Sequence, residues 1–182
     1  AQKVHCSSAC LLIPLEQCQC TQKQCTNTLR LLPFSGKYFK FLQILWNFLN
    51  YNLLAKPTVS VVTNPASNMK LGNGFAPIPK MLEAGVNVCI GTDGAASNNA
   101  LNLFREMGLV TLIHKGAMGD AESVSAVQAL KMATENAAKA LGRADSLGRI
   151  AKGYQADLAI LDLNAPQMMP RNNIVSSLIY SA

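Results

Sequence analysis

The 182 residues predict an α/β fold, on three observations. Beyond Pro57, short β-branched runs alternate with amphipathic helical stretches, the pattern of successive βα units. The run VNVCIGT at 86–92 is apolar on both alternating faces, as in a parallel strand covered from two sides. Hydrophobic residues make up 49% of the chain and charged residues 14%, which suits a packed core and argues against disorder.

The elements follow in order. Residues 59–63 (VSVVT) are a β-branched run of strand length. The stretch NPASNMKLGNG behind it, rich in Asn, Pro, Ser and Gly, reads as loop. Residues 77–84 read as a short helix, with Pro near its start and Gly85 just past its end. The strand at 86–92 comes next, and Asp93 sits immediately beyond it. Leu101, Phe104, Leu109, Leu112 and Ile113 then recur at roughly helical spacing, predicting a helix over 101–115. One or two further helices are expected over 125–141, stopped by Gly142. Residues 147–150 and 157–163 read as two strands joined by a turn through Lys152 and Gly153.

Residues 1–56 have a different texture. They hold Cys6, Cys10, Cys18, Cys20 and Cys25, and seven of the eleven aromatic residues lie between Phe34 and Tyr51. They also carry six Lys or Arg against the single acid Glu16, whereas the remainder carries ten against nine, so nearly all of the net charge of +6 belongs to this segment. Phe41, Ile44, Leu45, Phe48 and Leu49 fall at helical spacing and predict a short helix with one apolar face, core-facing or amphipathic. Cys18, Cys20 and Cys25 with His5 do not form the paired C-x2-4-C spacing of structural zinc sites, so free thiols are expected. The apolar stretch 41–54 is interrupted by Gln43, Asn47, Asn50 and Asn52 and is shorter than the ~20 apolar residues of a membrane span. With no secretory leader legible at the N-terminus, the expectation is a soluble, cytoplasmic protein without nucleic-acid or membrane partners.

Asp93 is the candidate for chemistry. In parallel α/β architectures, reacting groups collect where the C-terminal ends of strands and their loops converge. The run G-T-D-G-A-A-S-N-N surrounds Asp93 with small residues that let a ligand approach the backbone, and Ser97, Asn98 and Asn99 add neutral hydrogen-bonding groups. Ser97 or Asn98 reads equally well as only the N-cap of the following helix.

The stretch TNPASNMKLGNGFAPIPKMLEAGVNVCIGTDGAASNNALNLFREM resembles the last two barrel strands of the amidohydrolase superfamily, in the branch of methylthioadenosine/S-adenosylhomocysteine deaminases. A second, independent stretch, Leu147-Gly148-x-Ile150-x-x-Gly153-x-x-Ala156-Asp157-Leu158, resembles the passage from barrel to small β-sandwich in these enzymes. The resemblance covers residues 58–182. It implies the C-terminal portion of a (β/α)8 metallo-dependent hydrolase barrel followed by strands of a small β-sandwich, with the unmatched segment at 1–56, barrel units at 57–145 and the start of the sandwich at 146–182. It further implies one divalent metal ion, zinc or iron, held by histidines of earlier strands and by Asp93, which also accepts the proton of the attacking water. Asp93 and Ser97 are then the substrate-binding residues, the substrate is a purine nucleoside derivative that loses ammonia, and the full-length relative is a candidate homo-oligomer.

The sequence departs from that family in its histidines. The H-x-H pair of the first strand, the single histidines of strands five and six and the proton-shuttling glutamate have no clear counterparts. His114 falls in the helix after Asp93 and reads as structural. His5, in Val4-His5-Cys6, is a faint match to the strand-six histidine, and Thr63 stands where many relatives carry His before Asn-Pro. Catalytic zinc sites keep three protein ligands, and a complete (β/α)8 barrel takes ~250 residues. The chain alone is therefore expected to be inactive and to retain no metal, either as a truncated product in which out-of-frame or intronic translation at 1–56 replaces the upstream barrel, or as a non-catalytic binding or assembly module. Guanine deaminases and chlorotriazine hydrolases are alternative relatives.

Overall fold

The computed structural model describes residues 10–14, 51 and 54–182. The expected helix around 41–49, the cysteines at 18, 20 and 25, and His5 lie outside them. Three strands form one sheet in the order β1 (Cys10–Pro14), β2 (Val59–Thr63), β3 (Asn87–Ile90). β2 and β3 run parallel, with Val61 opposite Val88 and Thr63 opposite Ile90. β1, from a segment without sustained strand periodicity, adds to the other edge of β2 in antiparallel register.

The connection between β2 and β3 corrects one expectation. Half of the presumed loop is a helix, α1 (Pro65–Lys70), before the expected α2 (Ile78–Glu83). Pro65 occupies the first turn, where its missing N–H costs nothing and its fixed φ suits a helix. The Ala66 N–H, otherwise an orphan of that first turn, donates at 2.9 Å to the carboxylate of Glu106, forty residues away. Local composition cannot reveal such a partner.

After β3 come the short α3 (Ala95–Asn98) and the long α4 (Leu103–Met118). Asn102 caps α4, its side-chain oxygen accepting from the N–H groups of Phe104 and Arg105, and Gly119 closes it in left-handed conformation. The residues at 125–141 form two helices, α5 (Ala126–Ala133) and α6 (Glu135–Ala140), broken at Thr134. α5 starts with a capping box between Ser125 and Gln128. A last helix, α7 (Ile174–Ser181), which no periodicity announced, follows a 3-10 turn at Pro166–Met168.

The core lies between the sheet and the helices. Val61, Val88 and Ile90 meet Ile78 and Met81 of α2, Met107 and Val110 of α4, Ala129 and Met132 of α5 and Ile179 of α7. Gly108 lets α4 approach α7, because a β-carbon there would stand 2.9 Å from the Ile179 carbonyl oxygen. α6 is tied to β3 by Asn136. Its side-chain amide donates to the Val88 carbonyl at 2.8 Å, and its own carbonyl accepts from the Asn87 amide at 3.1 Å and the Cys89 thiol at 3.2 Å. Burial pushes that thiol's pKa up to about 11, so it is an inert packing group. No helix of the described residues is long and apolar enough to cross a membrane.

The second correction concerns the tail. Neither 147–150 nor 157–163 forms a strand. A strand exists through its hydrogen-bonded neighbour, and no described strand adjoins these residues, so Ile150 stays 88% and Ile160 97% exposed. The turn between them does form. Gln155 N–H donates to the Ser146 carbonyl at 2.9 Å, the Tyr154 hydroxyl to the Ala144 carbonyl at 2.9 Å, and the Arg149 guanidinium lies 4.9 Å from the centre of the Tyr154 ring.

Gly148 locks this turn onto the helices. At φ +90°, a β-carbon would meet the Thr134 carbonyl oxygen at 2.8 Å and Cβ of Ala138 at 2.9 Å. Gly148→Ala is therefore expected to destabilise the chain by about 2 kcal/mol or more, read as a lower urea midpoint with unchanged slope; an unshifted midpoint would show that this contact is not formed.

Candidate functional site

Parallel pairing brings the C-terminal ends of β2 and β3 to one edge of the sheet, so the loop that becomes α1 faces the loop that becomes α3. Asp93 stands between them, in left-handed conformation at φ +59°. Asp tolerates that conformation better than most non-glycine residues. Asn99 and Leu101 also have positive φ, so the loop concentrates local backbone strain.

The Asp93 carboxylate is held from three directions. Ser67 Oγ, from α1, and Ser97 Oγ, from α3, each donate to Oδ2 at 2.6 Å, and the Gly94 N–H donates to Oδ1 at 2.8 Å. Hydrogen bonds to the charged form favour it. The Ser67 hydroxyl first, then that of Ser97, hold the carboxyl below its ordinary range, with slight burial opposing and the Gly94 amide adding to the effect. The group is exposed, ionised and aimed, a geometry suited to accepting a proton or binding a cation.

Around it the two loops are cross-tied. The Lys70 ammonium, at the end of α1, donates to the Ala96 carbonyl at 3.2 Å and to the Asn99 side-chain oxygen. Beneath, the Asn98 amide donates to the Thr92 carbonyl at 2.6 Å and to Glu106 Oε1 at 2.8 Å. Asn98 thus anchors the loop, and the helix cap is Asn102, which removes the reading of Ser97 or Asn98 as the N-cap of α4.

Asp93, Ser97, Asn98 and Asn99 are accordingly gathered as one cluster, Ser97 in direct contact with Asp93. His114 is 7% exposed on α4, beside a small hollow lined by Thr63, Pro65, Asn68, Phe75, Val110 and Ile113, and burial lowers its pKa. It has no contact with the carboxylate in the hydrogen-bond network.

Sequence reasoning missed Ser67, Lys70 and Glu106. Ser67 and Lys70 lie in the stretch NPASNMKLGNG, whose composition reads as loop, in which a helix sets them one turn apart. Glu106 had a signal of its own, an acid flanked at helical spacing by Leu103 and Val110 on the buried face of α4.

As to a metal, no group of three or more His, Cys, Asp or Glu side chains comes together among the described residues. Asp93 is one carboxylate whose oxygens already accept three hydrogen bonds. The described residues do not by themselves fit the three-ligand set of a catalytic zinc site.

The Ser67 contact is open to test through its pH dependence. Because the folded pKa of Asp93 is depressed, its contribution to stability is present above the ordinary carboxylate pKa and lost as pH falls through the folded value. Ser67→Ala is expected to move the Asp93 carboxyl titration, followed by carbon NMR, upward, and to narrow the stability gap from the parent chain as pH falls. An unmoved titration would remove Ser67 from the site.

With that geometry in place, similarity to known proteins gains its meaning. The model of the amidohydrolase family matches residues 39–180. A 5-methylthioadenosine/S-adenosylhomocysteine deaminase of Acetivibrio thermocellus is 52% identical over 124 residues, covering 68% of this chain and 29% of that protein. One from Clostridium tetani is 50% identical over 131 residues, 72% of this chain and 30% of its own. Among solved structures, an adenosine deaminase from Xanthomonas campestris with bound zinc superposes with TM-score 0.71 at 42% identity, over 74% of this chain and 31% of that one. An atrazine chlorohydrolase from Arthrobacter aurescens TC1, complexed with zinc and atraton, does so with TM-score 0.69 at 33% identity, over 74% and 30%. The chain thus spans about 30% of the length of these relatives. Its fold is a partial domain of the (β/α)8 metallo-hydrolase type, and the chain belongs to the amidohydrolase family.

Proposed function

We propose that residues 57–145 carry the C-terminal share of an active site that hydrolyses a carbon–nitrogen bond, deaminating an adenosine derivative, and that residues 146–182 lead out of that barrel. The observation that carries the reading is the Asp93 carboxylate at the mouth of the parallel pair, held by one serine from each loop. In the proposed reaction water adds to the amidine-like ring carbon and ammonia leaves. Asp93 takes the proton from water and returns it to the departing amine, and Ser97 contacts the substrate. The Ser67 and Ser97 hydroxyls keep the carboxylate ionised before the transfer.

The similarity to deaminases of methylthioadenosine, S-adenosylhomocysteine and adenosine supports an adenosine-type substrate. The reading assigns the divalent metal, zinc or iron, to a complete enzyme. Asp93 alone does not make that site, and we propose that the 182 residues by themselves are catalytically inactive. The likeness to a chlorotriazine hydrolase favours a second reading, in which water displaces chloride from a triazine carbon and the same carboxylate takes the proton of that water.

Both are settled by a chimera in which residues 58–182 replace the matching part of the Acetivibrio thermocellus deaminase. Ammonia release from 5'-methylthioadenosine, S-adenosylhomocysteine and adenosine is expected, with a loss of about 100-fold or more in Asp93→Asn. Chloride release from atrazine without ammonia release would favour the second reading. A folded, zinc-loaded chimera without either activity, or an Asp93→Asn variant at full rate, would refute the role of Asp93. The 182-residue chain is expected to release no ammonia and to bind no stoichiometric zinc; turnover or tight zinc would refute its inactivity.

A further inference from the structure

The site leaves one buried ionisable side chain without a role. Glu106 is fully buried on α4, and both of its carboxylate oxygens are used. Oε2 accepts from the Ala66 N–H at 2.9 Å, and Oε1 accepts from the Asn98 amide at 2.8 Å. Ala66 immediately precedes Ser67. Asn98 holds the carbonyl of Thr92, which immediately precedes Asp93, and directly follows Ser97. A single carboxylate therefore grips, one residue away on each side, the loops that bring Ser67, Ser97 and Asp93 together. We propose that Glu106 is the positioning residue of this site, a brace that sets the separation of the two loops and with it the placement of the Asp93 carboxylate.

The chemistry of the contacts points the same way. Both partners of Glu106 are donors, so only a group that accepts at two points fits between them. The Asn98 amide spends both of its hydrogens on acceptors, the Thr92 carbonyl and Glu106, which fixes which way its amide faces. Its own oxygen is left buried and without a hydrogen-bond partner. A buried acceptor left unpaired costs stability. An arrangement selected for stability alone would avoid that cost, whereas one that must hold the Asp93 loop at a set height accepts it. Glutamine in place of Glu106 keeps the size but replaces one acceptor oxygen by a donating NH2 group, so its remaining oxygen faces the Ala66 N–H or the Asn98 amide, not both. Flipping the Asn98 amide to meet the new donor would turn its oxygen against the Thr92 carbonyl.

The inference rests on the reading of Asp93 as the reacting carboxylate, but its test is separate from that reading. In the full 182-residue chain, labelled for NMR, the Gly94 amide reports the carboxylate position through its bond to Asp93 Oδ1, and the Ala66 amide reports Oε2. In Glu106→Gln, hydrogen exchange at Ala66 is expected to accelerate by about tenfold or more, and the Gly94 amide signal to shift, while the methyl signals of Val61, Val88 and Met132 stay in place. In Asn98→Ala, which cuts only the arm toward Asp93, the Gly94 signal is expected to shift and Ala66 to remain protected. This variant carries the test if the glutamine variant does not fold. A Gly94 signal unmoved in either folded variant, or one that moves only together with the core methyls, would overturn the inference. A folded, zinc-loaded chimera without either activity would refute the functional reading and leave these signals unchanged.

Discussion

Parallel pairing of two short strands is the constraint from which the site follows. With Val61 opposite Val88 and Thr63 opposite Ile90, both chains leave the sheet at the same edge, one into α1 and the other into α3. An antiparallel pair would send them to opposite edges, and Ser67 could not reach Asp93. The pair is held by apolar burial on one face, where Val61 and Val88 are fully covered by the helices, and by the Asn136 tie to the backbone of β3.

Within that frame, electrostatics set the character of Asp93. The carboxylate is near solvent, so burial does little to raise its pKa, and two hydroxyls and an amide bias it toward the charged form. The loop that bears it contains three non-glycine residues of positive φ and is fastened by Lys70 above and by the network of Asn98 and Glu106 below. Strained backbone over-determined by polar contacts is common where geometry serves a reaction. The same physics explains why the tail from 147 to 163 differs. It has a well-tied turn at its start, but its apolar side chains Ile150, Leu158 and Ile160 remain exposed, with no described strand to pair with.

How far this was legible in the sequence depended on where each element finds its partners. β2 was readable to its ends because four of its five residues are β-branched, and Gly85 and Gly142 marked helix ends through conformations that other residues resist. α1 was hidden, because a composition of Asn, Pro and Ser says loop and the partner of its first free N–H lies on α4. The strands expected at 147–150 and 157–163 failed for the opposite reason, a local pattern without a neighbour. Asp93 could be named from its address past β3 and Ser97 from resemblance. Ser67 could not, once its helix was taken for loop, nor Glu106, whose value comes only from the two donors that tertiary packing brings to it.

The central claim is that two loops from parallel strands converge on one oriented carboxylate. A crystal structure of the 182-residue chain tests it most directly. The account predicts β2 and β3 parallel, Asp93 in left-handed conformation, and its carboxylate within hydrogen-bond distance of both serine hydroxyls, near the 2.6 Å found here. A carboxylate turned into solvent away from Ser67 and Ser97, in a structure where the two strands are intact, would contradict it.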